Sequence, residues 1–243
     1  MLGIFGGTFD PVHFGHLRIA LELAQHLELR ELRFLPCGRP PHRGAPAAAA
    51  RDRLNMLRLA VTGQNGFTID ERELRRSGPS YMVDSLQSLR EEQGARPLCL
   101  LLGSDAFQAL DTWHRWEHLI ELAHLVVAHR PGVAGAPSTA VASLLERCRV
   151  DEVRALRRRP AGAILMVPVT QLDISGTRIR ELVRAGLSPR YLLPEPVLEY
   201  IWREGLYRES NREDERDELR DELRDEARKE GHAEGGRAGG TGS

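Results

Sequence analysis

Gly6-Gly7-Thr8-Phe9-Asp10-Pro11-Val12-His13-Phe14-Gly15-His16 comes directly after a short apolar run, Leu2 to Phe5. The run reads as a strand. The stretch Gly15 to Leu29 reads as a helix, with Leu17, Leu21, Ala24 and Leu27 at helical spacing. Between them, Gly6 and Gly7 let the backbone turn sharply and approach a phosphate closely. Gly15 brings the start of the next helix near the same phosphate, where N–H groups and the helix dipole make an anion site. His13 and His16 are three apart and share a face of the first turn. Two imidazoles there can donate to phosphate oxygens and stabilise charge that builds up during phosphoryl transfer. Satisfied core histidines or a metal pair are the alternatives, but no third ligand stands at a telling distance. The glycines do not give the G-x-G-x-x-G spacing of a dinucleotide site.

Outward from this segment, apolar runs alternate with helical patterns. Leu32 to Leu35, Phe67 to Ile69, Leu98 to Leu102, Leu125 to Ala128 and Ile164 to Val167 read as further strands, six in all. Arg51 to Val61 reads as a helix with Leu54, Leu57, Ala60 and Val61 on its apolar face. Ser80 is the expected N-cap of a helix running to about Glu92. Ile179 to Ala185 and Val197 to Glu204 are also expected to be helical. This alternation predicts an α/β fold, a parallel sheet with helices on both faces. Ligands then bind just beyond the strand ends.

The chain has 243 residues and a net charge of −1, so no global basic field draws nucleic acid or anionic lipid. Small anions must be held by local groups. Those groups are arginines, since Lys229 is the sole lysine, and arginine grips phosphate with paired hydrogen bonds. Three cysteines, Cys37, Cys99 and Cys148, form no C-x-x-C pair and suit inert thiols in a reducing cytosol. No export signal or bilayer-length apolar stretch is visible, so a cytoplasmic protein without a membrane role is expected. From about residue 208 the composition changes. Arg-Asp-Glu-Leu occurs at 216–219 and 220–223 and Arg-Asp-Glu-Ala at 224–227, and glycines dominate from Gly235 to Gly242. The expected organisation is a domain over 1–207 and a charged tail over 208–243, helical or disordered.

Other motifs stand at strand ends and helix starts. Ile174-Ser175-Gly176-Thr177-Arg178-Ile179-Arg180 reads as a helix start with Ser175 as N-cap, and equally as a phosphate cradle. Asp105, in Gly103-Ser104-Asp105, caps the next helix or accepts from ribose hydroxyls. Thr112-Trp113-His114-Arg115-Trp116 holds two tryptophans, of which Trp116 reads as core. Arg39-Pro40-Pro41-His42-Arg43 is a stiff loop carrying cations.

The first segment resembles the H-x-G-H signature of the adenylyl- and cytidylyltransferase superfamily. In full, G-G-T-F-D-P-V-H-F-G-H is similar to bacterial nicotinate-nucleotide adenylyltransferases, over about residues 1 to 207. The resemblance implies a Rossmann-like sheet and direct adenylyl transfer from ATP to nicotinate mononucleotide, with Mg²⁺ bound through ATP and no protein metal site. It implies that His13 and His16 are catalytic. Gly6, Gly7, Thr8, Phe9, Gly103, Asp105, Ser175, Thr177 and Arg180 would bind ATP. His42, Arg43, Tyr81, Met82, Trp113, His114 and Arg130 would bind the mononucleotide, Trp113 as an aromatic platform under the pyridine ring. Two positions depart from the family pattern: His114 stands where tyrosine is common, and Met82 where threonine is, leaving backbone N–H groups to meet the pyridine carboxylate. Leu192 to Tyr207 resembles a closing helix with a packing role. A monomer or small homo-oligomer is expected. The rival readings are transfer to nicotinamide mononucleotide or phosphopantetheine, cytidylyl transfer, a nucleotide-binding regulator without turnover, and a metal-dependent hydrolase.

Overall fold

A computed structural model of the protein describes residues 1–41, 44–129, 137–170 and 172–208. His42, Arg43, Arg130 and the tail from 209 onward lie outside the described residues. The strands are β1 (Leu2–Gly7), β2 (Leu32–Pro36), β3 (Phe67–Ile69), β4 (Leu98–Gly103), β5 (His124–His129), β6 (Arg149–Val150) and β7 (Ile164–Pro168). All pair in parallel, in the order β3-β2-β1-β4-β5-β7-β6. The helices are α1 (Phe14–His26), α2 (Ala50–Val61), α3 (Arg72–Arg75), α4 (Met82–Gln93), α5 (Ser104–Gln108), α6 (Leu119–Leu122), α7 (Thr139–Cys148), α8 (Val153–Leu156), α9 (Gly176–Arg184) and α10 (Glu195–Arg203).

The sheet is covered on both sides, which is why its strands are continuous apolar runs. Leu2, Ile4, Leu98, Leu100 and Leu102 face one core, against α4, α5, α6 and α7. Phe5, Phe34, Cys99, Leu101 and Val126 face the other, against α1, α2, α8, α9 and α10. The chain winds outward through β2 and β3, then returns to lay β4 on the other side of β1. The carboxyl ends of β1 and β4, Gly7 and Gly103, therefore flank the point where the winding reverses, and a crevice opens there.

Several elements differ from expectation. β6 is a seventh strand, two residues long and headed by exposed Arg149, too short and polar to show a strand pattern. α1 ends at His26, not Leu29: Glu28 takes a left-handed φ of 50°, and the Leu29 N–H closes the helix on the Ala24 carbonyl at 2.9 Å. Its buried stripe is Gly15, Ala20 and Leu23, with Leu17, Leu21 and Ala24 only partly covered. In α2 the buried face is Arg53, Met56, Leu57 and Val61, so Leu54 and Ala60 are rotated to its edge by a buried arginine. Ser80 does not cap α4; Tyr81 holds the N-cap position, and the Ser80 hydroxyl accepts from Gly38 and Arg39 N–H at 3.0 and 3.1 Å. The turn after β1 is made not by Gly6 and Gly7, which finish the strand, but by Phe9 with a φ of 51°.

Residues Met1–Tyr207 form one compact unit. The closing segment does more than pack. The Tyr207 hydroxyl, on an 8% exposed residue, donates to Asp10 Oδ1 at 2.7 Å. Hydrogen bonds to buried charged groups contribute about 1.5–3 kcal/mol. Tyr207→Phe should therefore lower the unfolding free energy by about that amount in urea titrations, while a change below about 0.5 kcal/mol would contradict this role.

Candidate active site

A cleft of about 880 Å³ opens over the carboxyl ends of β1 and β4. It brings together every expected site residue that the structure describes: Gly6 to Phe9, His13, His16, Tyr81, Met82, Gly103, Asp105, Trp113, His114, Ser175, Thr177 and Arg180. The histidine pair and the Ser/Thr/Arg cluster, more than 150 positions apart in the chain, thus face one cavity.

His13 is the N-cap residue of α1 and His16 its third residue, and their rings stack at 3.8 Å with a 28° tilt. Phe9 is 1% exposed, so its ring serves as packing rather than as a ligand face; it meets the His16 ring edge-on at 5.2 Å. A Cβ on Gly15 would approach His13 Nδ1 to 2.9 Å, so this glycine is what lets the His13 ring lie against the helix start. The Nδ1 atoms of both rings are buried without a partner. Burial lowers His13 to about 4. Burial, followed by repulsion from His13, lowers His16 to about 3. Both rings are neutral near pH 7, and each presents one donor to an incoming anion.

Ser175 caps α9, its hydroxyl accepting from Arg178 N–H at 3.2 Å, as the sequence indicates. Arg180 donates to Thr177 Oγ1 at 3.2 Å and to the Asp10 carbonyl at 2.7 Å. A Cβ on Gly176 would stand 2.9 Å from that same carbonyl, so the start of α9 can close on the first loop only with glycine there. The Asp10 carboxylate accepts from Ala47 and Ala48 N–H at 2.7 and 3.2 Å. Arg53, 1% exposed, donates to the Thr8 and Gly38 carbonyls at 2.7 and 3.3 Å. Burial pulls its guanidinium below the usual value and the Asp10 charge opposes this.

Asp105 is the second residue of α5, not its cap, and its carboxylate is exposed at the cleft wall. At the opposite end, the Tyr81 and His114 rings lie 4.2 Å apart, tilted by 31°. Trp113 and Trp116 both pack against the core beneath α4 to α7. Sequence reading assigned no role to Arg53, Glu73, Arg184 or the Asp10 side chain. Arg53 alone carried a signal, an arginine three residues before a buried methionine on one helix face. Among the described residues no group of three or more His, Cys, Asp or Glu could hold a metal ion. The carboxylate nearest the histidines, Asp10, is already filled by protein donors. No helix among the described residues is long and apolar enough to cross a membrane.

Hydrogen-bond donors at two helix starts, over the switch point of a parallel sheet, are an arrangement suited to a nucleotide, and the chain's relatives are nucleotidyltransferases. Residues 4–182 match the cytidylyltransferase-like family. The chain is 53% identical over 208 residues to a probable nicotinate-nucleotide adenylyltransferase of Methylococcus capsulatus, covering 85% of this chain and 99% of that one. It is 49% identical over 214 residues to one from Dechloromonas aromatica, covering 86% and 98%. The chain belongs to the bacterial nicotinate-nucleotide adenylyltransferase family. Its fold is similar to that of the Plasmodium falciparum nicotinic acid mononucleotide adenylyltransferase complexed with NaAD, at a TM-score of 0.64 and 16% identity over 85% of this chain and 96% of that one.

The low values of the two histidines give a pH signature. The unfolded chain binds protons at ordinary imidazoles near 6.5 while the folded site does not, so stability falls as pH drops from about 6.5 toward 4. In thermal melts, a His13→Asn, His16→Asn variant should lose less stability across that window than the wild type. Parallel curves would contradict buried neutral rings.

Proposed function

We propose that the protein transfers the adenylyl group of ATP to nicotinate mononucleotide, giving nicotinate adenine dinucleotide and pyrophosphate. The observation that carries this reading is the shared cleft of His13, His16, Ser175, Thr177 and Arg180. The relatives' activity, at about half identity over nearly their whole length, supports the choice of acceptor.

In this reading, a 5′-phosphate oxygen of the mononucleotide attacks the α-phosphorus of ATP. A new P–O bond forms, the bond to the bridging oxygen of the β-phosphate breaks, and pyrophosphate leaves with that electron pair. The attacking phosphate is already ionised, so no protein nucleophile or base is required. The protein supplies alignment and fixed donors. His16 faces the α-phosphate and His13 the leaving phosphates. The start of α9, with Ser175, Thr177 and Arg180, holds the β- and γ-phosphates. Asp105 accepts from the ribose on the adenosine side. The pyridine ring lies by Trp113, His114, Tyr81 and Met82; the expected contacts His42, Arg43 and Arg130 lie outside the described residues. Mg²⁺ would arrive as part of the nucleotide, held by phosphate oxygens and water, in keeping with its preference for retaining water. The unpaired cysteines suit a cytoplasmic setting.

His16→Ala should lower kcat by about 10²–10³-fold, the cost of removing one fixed donor to developing charge, while the chain still folds. Near-normal turnover would refute the role. Pyrophosphate release with ATP should be fastest with nicotinate mononucleotide among it, nicotinamide mononucleotide and phosphopantetheine; equal or reversed preference would move the reading to a rival acceptor. A chain ending at Arg208 should keep full activity in the same assay, and its loss would assign the tail a part in catalysis.

A further inference from the structure

One wall of the cleft is made by residues 38–41 and 44–48, of which Pro40, Pro41, Gly44, Ala45, Pro46 and Ala47 line the cavity. Its described residues before 48 belong to no helix or strand, so they are held from outside. At the far end, Asp10 receives the Ala47 and Ala48 N–H groups. At the near end, Ser80 Oγ receives the Gly38 and Arg39 N–H groups, and Ser80 N–H donates to the Arg39 carbonyl at 2.9 Å.

Glu73, 3% exposed and in α3, lies beside Ser80 in the lining of the cleft. Ser85 Oγ, in α4, donates to Glu73 Oε1 at 2.7 Å. The Ser80 hydroxyl and the Cys37 thiol are near enough to favour the charged form of this carboxyl, while burial, the larger effect, raises its pKa. Burial pushes the Cys37 thiol up to about 11, so it stays protonated and able to donate. The backbone of Gly38 runs so close over α3 that a Cβ there would meet the Glu73 carbonyl at 2.4 Å. One buried carboxyl thus gathers donors from the end of β2, from the turn before α4 and from α4 itself. It sits where the near end of the wall joins the Tyr81–Met82 end of the cleft.

We propose that Glu73 is a positioning residue for the acceptor: it fixes Ser80, and through Ser80 the near end of the wall at Gly38 and Arg39. This rests on the reading that places the mononucleotide by Tyr81, Met82, Trp113 and His114. Arg180, on the ATP side, is held by the Asp10 carbonyl instead, and Arg53 is the side chain that links the Thr8 carbonyl of the first loop to the Gly38 carbonyl of the wall. Loss of Glu73 should therefore separate the two substrates. A carboxamide keeps an oxygen that accepts from Ser85 and Ser80, so glutamine should restore what alanine removes.

The test combines steady-state kinetics with amide hydrogen exchange on the full chain carrying Glu73→Ala, Glu73→Gln or Ser80→Ala. Glu73→Ala and Ser80→Ala should raise KM for nicotinate mononucleotide about tenfold, the scale of one lost positioning contact, with KM for ATP within about twofold. Glu73→Gln should recover most of the loss. Exchange at the Gly38 and Arg39 amides should quicken about tenfold in Ser80→Ala and Glu73→Ala, while that at Ala47 and Ala48 stays the same. Equal shifts in both KM values, unchanged KM for the mononucleotide, or unchanged exchange at Gly38 and Arg39 would overturn the proposal. If alanine at 73 does not fold, Ser80→Ala and Glu73→Gln still decide it. If the wild type makes no dinucleotide, the functional reading fails, while the exchange data still show whether Glu73 fixes the wall.

Discussion

The Asp10 node is the constraint that sets the site. A carboxylate 8% exposed must have its oxygens filled, because an unpaired buried charge is strongly destabilising. Here the donors are the Ala47 and Ala48 amides and the Tyr207 hydroxyl, and the Asp10 carbonyl takes Arg180. Four stretches of chain, spread from residue 10 to residue 207, are locked to one point three residues before His13. The first loop, the cleft wall, the second phosphate cluster and the end of the closing segment are therefore set in one geometry before any ligand arrives. That is the preorganisation phosphoryl transfer needs, since fixed donors cost no reorganisation as charge develops.

The cleft accepts an anion without being strongly cationic. The chain carries a net charge of −1, and His13 and His16 are neutral by burial. The site offers the starts of α1 and α9, two imidazole donors and Arg180. Such groups act over short range, so they favour a phosphate that sits in register over one that is merely nearby. The stacked rings are braced by Phe9, which is itself in edge contact with Phe5 and Phe34. A residue that looks like part of a ligand loop is thus the packing behind the donors.

The sheet was legible because a strand covered on both sides must be apolar along its length, as Leu98 to Leu102 are. β6 escaped notice because two residues beginning with arginine carry no such pattern. Leu27, Leu57 and Val61 are buried as their spacing indicates, but the buried faces also take in Arg53 in α2 and Gly15 in α1, which periodicity does not reveal because it counts only apolar residues. The histidine pair and the Ser175 to Arg180 cluster could be read because helix-start chemistry is local. Asp10, Glu73 and Tyr207 could not, because their meaning lies in contacts with residues such as Ala47, Ser85 and each other that only the folded chain creates. Ser80 shows the same limit: its hydroxyl was expected to serve its own helix and instead serves Gly38 and Arg39.

Convergence of two distant clusters on one triphosphate is open to direct observation in a crystal structure with a non-hydrolysable ATP analogue. Phosphate oxygens should lie within hydrogen-bonding distance of His13 or His16 Nε2 and, on the same nucleotide, of Ser175, Thr177 or Arg180. A triphosphate bound to one cluster while the other faces solvent would contradict the shared site.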